Sequence, residues 1–283
     1  MKITQNFQNE NSTLYLVSTP IGNLEDITFR AVRILKEVDY IFCEDTRHSK
    51  KLLDYYEINN QVDSYFEFNK EIKGEKIINL LKEGNNIALI TDAGTPGISD
   101  PGYEIVKMAI ERDFNVVSIP GANAILPALI TSGLIIQPFI FLGFLPRGEE
   151  KQKTLLNDYL YKPETLVIYE ASNRIYKTLN NILEVLGNRR VVIARELTKK
   201  FETIIRGNVE DIIQNEPEIL GECVLVIEGG NPTDYFKKFT IDEHVKYYLD
   251  LGNDEKEAMK LVAKDLNKSK SEIYKLYKIR REK

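Results

Sequence analysis

The run Leu89-Ile-Thr-Asp-Ala-Gly-Thr-Pro-Gly-Ile-Ser-Asp-Pro-Gly102 decides the fold. Residues 87–91 are apolar and rich in β-branched side chains, so they read as a buried strand. The strand ends in a loop holding Gly94, Pro96, Gly97, Pro101 and Gly102, with Thr95, Ser99, Asp92 and Asp100 between them. A helix is expected to open at residue 99, with Asp100 as its N-cap and Pro101 in its first turn. In an open α/β sheet, ligands bind beyond the carboxyl ends of the strands. A loop this rich in glycine at that place lets backbone approach a ligand closely.

The same alternation runs outward in both directions. Strands are expected at 14–18, 39–43 and 115–119, and helices at 29–38, 46–56, 71–83 and 99–112, which implies βαβ units and a mostly parallel sheet. Pro120-Gly-Ala-Asn-Ala124 reads as a hinge into a second half. That half has strands at 138–142, 164–170, 190–195, 201–206 and 222–228, and helices at 124–132, 149–161, 175–186 and 208–215. No helix separates 190–195 from 201–206, so antiparallel pairing enters there. Residues 242–283 are helical in pattern, and Ser269 followed by Glu272 has the spacing of a capping box. The expected architecture is two α/β domains, 13–120 and 121–231, and a small helical segment, 238–283.

Composition narrows the function classes. The 283 residues carry a formal net charge of -5, which argues against binding driven by overall charge. The charge is uneven: residues 231–283 hold 13 Lys and Arg against 10 Asp and Glu, and the remainder holds 25 against 33. The 2 cysteines, Cys43 and Cys223, lie inside apolar strands and read as core. The 2 histidines, His48 and His244, are far apart, and no Cys/His cluster has metal-ligand spacing, so no metal is expected. The first twelve residues are polar, and no apolar run approaches ~18 residues, so a cytoplasmic protein without membrane contact is expected.

Several other strand ends are unusual. Val17-Ser-Thr-Pro-Ile-Gly-Asn-Leu24 has one glycine, which disfavours a G-x-G-x-x-G dinucleotide site. Glu44-Asp-Thr-Arg-His-Ser-Lys-Lys51 is a mixed-charge run that reads either as a solvated helix start or as the rim of a pocket. Phe141-Leu-Gly-Phe-Leu-Pro-Arg147, Tyr169-Glu-Ala-Ser-Asn-Arg174 and Ala194-Arg-Glu-Leu-Thr-Lys-Lys-Phe-Glu202 mix aromatics with charges. Such a mixture suits a nucleic-acid strand, whose bases stack on rings and whose phosphates pair with cations.

Taken in order, Ser18-Thr-Pro-Ile-Gly-Asn23, Glu44-Asp-Thr-Arg-His48, Thr91 to Gly102, Gly143-Phe-Leu-Pro146 and Ala194-Arg-Glu-Leu-Thr198 resemble the tetrapyrrole methylase superfamily. Within it they resemble the branch that methylates the ribose 2′-oxygen of a cytidine in the 16S rRNA of the small ribosomal subunit, near the decoding site. The resemblance covers residues 13–230, and more loosely the tail. It departs at Ala122-Asn123, at Ala171-Ser-Asn-Arg174 and at Phe68-Asn-Lys70, where the family carries Pro-Ser, Ser-Pro-His-Arg and His-Asn-Glu. The resemblance implies S-adenosylmethionine folded between two α/β halves, and a homodimer. Thr19, Pro20, Asp92, Ala93, Gly94, Thr95 and Ser99 would line its methionine side. Gly121, Ala122, Asn123, Leu197, Thr198, Gly221 and Glu222 would approach its adenosine.

Methyl transfer to a ribose hydroxyl needs in-line alignment and gains from a base that takes the hydroxyl proton. Glu44, Asp45, Asp100 and Glu196 are candidates. Asp45 and Glu44 are preferred because they follow a strand of the first half beside a basic run. Arg47, Lys50, Lys51, Arg147, Arg174, Lys199 and Lys200 are the expected RNA contacts. Two other functions stay open on the residues alone: a small-molecule methylase for a tetrapyrrole ring, and an RNA-binding assembly factor without turnover.

Overall fold

The computed structural model describes residues 3–6 and 8–278. Residues 279–283 of the expected tail lie outside the described residues. The first half is a parallel sheet of β1 (Thr13–Val17), β2 (Tyr40–Cys43), β3 (Gln61–Ser64), β4 (Ile87–Leu89) and β5 (Asn115–Ile119), in the order β3-β2-β4-β1-β5. Side chains alternate across it with a period of two. Ile41, Cys43, Ala88 and Ile90 pack with Ala31, Ile34 and Leu35 of α1 (Phe29–Glu37) and Leu53 of α2 (Thr46–Tyr55). Phe42, Ile87 and Leu89 belong to a second core, with Ile77, Ile78 and Leu81 of α3 (Lys70–Lys82) and Ile105 and Ala109 of α4 (Tyr103–Glu111). The chain thus leaves β1 over one face and β4 over the other. These strands are neighbours, so a crevice opens at their carboxyl ends, as a topological switch point requires.

Two local expectations are corrected. β3 was not expected as a strand: it is a short edge strand with polar Gln61, Asp63 and Ser64, and it lacks an apolar pattern. The helix after the glycine-rich loop begins at Tyr103 rather than residue 99, and Asp100 does not cap it. Ser99 adopts φ +64°, and the loop folds back until a Cβ on Gly102 would stand 2.9 Å from the Gly97 nitrogen. This closed loop delays the helix and leaves the Asp100 side chain at the crevice.

After α5 (Ile125–Ser132), the second half forms a mixed sheet of β6 (Phe139–Phe144), β7 (Thr165–Ala171), β8 (Arg190–Arg195), β9 (Thr203–Asn208) and β10 (Glu222–Ile227), ordered β6-β7-β10-β8-β9. Only β6 and β7 run parallel; the β8–β9 pair is antiparallel, as the absent helix predicts. One face packs on α6 (Glu149–Asn157), α7 (Ile175–Leu186) and α8 (Val209–Asn215). The other, with Val167, Val192 and Val224, packs on Ala128 and Leu129 of α5 and on Ile21 from the first half.

The tail forms α9 (Ile241–Asp250), α10 (Glu255–Asp265) and α11 (Lys270–Lys278) around Val245, Met259, Val262 and Ile273. The Ser269–Glu272 capping box forms, each backbone amide donating to the other's side chain. His244 is buried, stacked 3.8 Å from Phe236, and bonded to Asp265, so it is a core residue. Among the described residues, no helix is long and apolar enough to cross a membrane.

Candidate active site

The loops after β1 and β4 lock together at the crevice. The Thr19 amide donates to the Gly94 carbonyl at 2.9 Å, and the Gly94 amide donates to the Thr19 carbonyl at 3.1 Å. The Thr19 hydroxyl donates to the Thr91 carbonyl, and the Ser18 and Thr95 hydroxyls share a bond of 2.9 Å. Thr95 also donates to the Ala122 carbonyl, which ties in the hinge. Gly121 sits where a Cβ would stand 2.9 Å from the Ser18 Cβ, so only glycine fits between hinge and strand end without a shift.

The two halves enclose a cavity of about 940 Å³, a volume in the range of cofactor sites. Of the residues expected to hold the cofactor, Asp92, Ala93, Gly94, Thr95, Ser99, Asn123, Leu197, Gly221 and Glu222 line it. Thr19, Gly121 and Ala122 stand behind it through the contacts just described. Pro20 precedes the lining residue Ile21, and Thr198 lies between the lining residues Leu197 and Lys199. Ser99, Glu196 and Thr198 all hold positive φ. Left-handed backbone costs a non-glycine residue about 1–3 kcal/mol and gathers at binding sites. The Thr198 hydroxyl is buried without a hydrogen-bond partner among the described residues.

Two carboxylates, Asp92 and Asp100, lie on the first-half wall, and Glu44 and Asp45, the preferred proton acceptors, stand near it without lining the cavity. Asp92 accepts the Asp45 amide at 3.2 Å and lines the cavity with Asp100. Burial, then the neighbouring charges of Glu44 and Asp92, push the Asp100 carboxyl up to about 7. Glu44 is raised by burial and by Asp92 and Asp45. Asp45 behaves oppositely. It caps α2 by accepting the Arg47 amide at 2.8 Å and pairs with the Arg47 guanidinium at 3.0 Å, and those bonds hold it down at about 2. Glu196 accepts the Glu222 amide and Lys199 Nζ, both at 3.1 Å. Burial raises its proton affinity, but these bonds outweigh that and leave it lowered. No group of three or more His, Cys, Asp or Glu among the described residues is arranged to hold a metal ion.

The second-half wall is aromatic. Tyr169 meets Phe141 edge-on at 4.9 Å and Phe144 at 5.5 Å, and all three line the cavity. Burial, and then the Asp100 charge, push the Tyr169 phenol up to about 12, and both residues line the cavity. Sequence reasoning noted these rings only as part of mixed aromatic and charged runs. The signal for a wall was present, since Phe144 ends β6 and Tyr169 lies near the end of the adjacent β7, but it needed the β6–β7 register to be read.

The expected RNA contacts divide. Lys50, Lys51, Arg147 and Lys200 are exposed, and Arg47 is exposed but paired with Asp45. Lys199 lies in the cavity wall, bonded to Glu196 and Glu222. Arg174 is turned inward: its Nη2 donates to the Leu145 and Pro146 carbonyls, each at 3.1 Å, and its Nε lies 3.3 Å from buried Glu170.

Comparison with known proteins bears on this geometry. The family described as tetrapyrrole (corrin/porphyrin) methylases matches residues 13–213. The chain is 48% identical to ribosomal RNA small subunit methyltransferase I of Bacillus subtilis (strain 168), over 97% of each chain. It is 39% identical to the protein of that name from Synechocystis sp. (strain ATCC 27184 / PCC 6803 / Kazusa), over 93% of this chain and 96% of the other. Among solved structures, uroporphyrin III C-methyltransferase from Thermus thermophilus aligns with a TM-score of 0.55 at 17% identity, over 80% of this chain and 100% of that one. A diphthine synthase aligns with a TM-score of 0.60 at 13% identity, over 77% and 90%. These two likenesses concern the fold.

Proposed function

Because the chain belongs to the tetrapyrrole methylase family, and within it to the ribosomal RNA small subunit methyltransferase I group, we propose that it transfers a methyl group from S-adenosylmethionine to the ribose 2′-oxygen of one cytidine in 16S rRNA, near the decoding site. The observation that carries this reading is the cleft, with hydroxyl- and glycine-lined loops and carboxylates on one wall and aromatic rings on the other. It suits a zwitterion bearing an extra positive charge. Asp92 and Asp100, both in the cavity wall, answer the cation. Asp92 to Thr95 and Ser99, with Thr19 and Pro20 behind them, would hold the methionine part. Gly121 to Asn123, Leu197, Thr198, Gly221 and Glu222 would hold the adenosine.

When bound, the cofactor supplies a methyl group on a positively charged sulfur. The protein's own work is to hold the acceptor hydroxyl in line, exclude water and accept a proton. Glu44 and Asp45 remain the proposed acceptors. Glu44 carries the larger share, since Asp45 is engaged by Arg47 and binds a proton poorly near neutrality. Exposed Arg47, Lys50, Lys51, Arg147 and Lys200 would meet phosphates. Exposed Leu126, Ile130, Ile135 and Ile136 give a second copy an apolar surface to cover, consistent with a homodimer. Residues 13–120 and 121–231 would act as the two walls, the described residues of the 238–283 segment as an appended helical unit, and the enzyme would work where cytoplasmic ribosomes assemble.

The test is to incubate the purified protein with methyl-labelled S-adenosylmethionine and small subunits from cells lacking the enzyme, then map the label. Label on one cytidine ribose supports the proposal. Absence of label, with cofactor binding measured separately, overturns it and directs the search to tetrapyrroles; absence of cofactor binding leaves an assembly factor.

A further inference from the structure

Phe144 ends β6 at the mouth of the cleft with 57% of its surface exposed, yet its backbone is held from three sides. The β6–β7 register shifts between Phe141 and Gly143, and after this irregularity Phe144 stands opposite Tyr169. Gly143 has φ +65°, and its missing Cβ position lies 3.3 Å from the Ser99 hydroxyl oxygen, so the first half abuts the strand here. Next along the chain Leu145 is buried, and the carbonyls of Leu145 and Pro146 both accept from Arg174. Arg174 is itself fixed by Glu170, whose fully buried carboxylate also accepts the Thr178 hydroxyl at 2.6 Å and the Ala171 amide at 3.0 Å. Gln152 extends this network from α6, donating to Thr178 and accepting from Asn181. A chain of buried polar bonds thus runs from α6 and α7 to the residues just after an exposed ring.

We propose that Phe144, backed by Tyr169, is the platform on which the base of the target nucleotide stacks, and that Arg174 positions this platform rather than binding RNA phosphate. The inference rests on the rRNA-methyltransferase reading. A 2′-oxygen in folded RNA reaches a cleft only if its nucleotide leaves its neighbours, and a ring replaces the stacking it loses. Tyr169 holds Phe144 edge-on, which leaves ring surface open to the cleft.

The test is steady-state labelling of small subunits from cells lacking the enzyme by wild type, F144A, F144L, F144W, R174Q and F144A/R174Q, with cofactor Kd measured separately. F144A should lower kcat/KM for the subunit by about 5- to 150-fold, the range that base–aromatic stacking spans, with cofactor Kd unchanged within about twofold. F144W should restore most of the loss, and F144L, apolar but without a ring, should not. R174Q should act through Phe144, so the double variant should be little worse than F144A, and the salt dependence of subunit binding should keep its slope. F144A within about twofold of wild type, or F144L as active as F144W, overturns the platform. Multiplying losses in the double variant, or a salt slope reduced by about one in R174Q, overturns the positioning role of Arg174. A wild-type protein that leaves subunits unlabelled overturns the rRNA reading, and the platform with it.

Discussion

Asp100→Asn should stabilise the cofactor-free protein, and more so as pH rises. Burial and the charges of Glu44 and Asp92 raise the folded-state carboxyl from 3.8 to about 7. Between these values the folded protein holds a proton that the unfolded chain has released. The carboxyl's contribution is therefore fully favourable below about 3.8 and is lost progressively as pH rises through about 7. At about 1.4 kcal/mol per tenfold change in proton affinity, the full loss has a ceiling of ~4 kcal/mol. The side chain is only part-buried and lines the cleft, and solvent screening reduces this to about 1–2 kcal/mol. Asparagine keeps the shape and removes the charge, so the variant should melt about 2–8 °C higher at pH 8 and within a degree or so of wild type near pH 3.5. Thermal unfolding followed by circular dichroism across that pH range measures the difference. Adding S-adenosylmethionine, a cation, should shrink the gain at pH 8. A gain independent of pH, or a variant less stable than wild type at pH 8, would refute the reasoning.

Glu44→Gln should cut turnover at least tenfold at unchanged cofactor Kd, while Asp45→Asn, which keeps a capping oxygen on α2, should retain most activity; near-normal turnover in both removes these acids from catalysis. Because Glu44 is raised above the ordinary carboxylate value, the rising limb of the pH–rate profile should sit above that of a free glutamate and vanish in the glutamine variant. Gly221→Ala places a Cβ 2.1 Å from Glu196 Oε1 at a residue with φ +82°, so it should dislodge Glu196 and Lys199 and weaken cofactor binding at least tenfold, read by titration calorimetry. Subunit binding should weaken steeply with salt, and K50A/K51A/R147A should reduce the slope of log K against log salt by up to about 2–3; an unchanged slope would show that these cations meet no phosphate.

Most of the architecture was legible because burial on both faces of a parallel sheet writes long apolar runs into the sequence. Residues 13–17, 40–43 and 87–89 are such runs, and the missing helix between 195 and 203 announced antiparallel pairing. β3 escaped because an edge strand needs no such pattern: its exposed Gln61 and Val62 contribute little to a core. The helix start at residue 103 escaped for a related reason. Asp100-Pro101 carries the local chemistry of a helix N-terminus, but the contact of Gly102 with Gly97 and the left-handed Ser99 close the loop first.

That misreading matters for function, because an aspartate freed from capping is what charges the cleft. The loops at the switch point were found from glycine and proline alone, since close approach of two backbones limits which residues fit. Charged side chains followed no such rule. Arg174 and Lys199 read as free cations because their sequence neighbours include no partner that answers them alone. Their true partners are Glu222 and the carbonyls of Leu145 and Pro146, all more than twenty positions away, together with Glu170 and Glu196 on the same strand ends. A cation's role depends on where the fold brings the nearest oxygen. The cations that remain as candidates for RNA are therefore the exposed ones, at 47, 50, 51, 147 and 200, and it is their removal, not that of Arg174, that should change the salt dependence of binding.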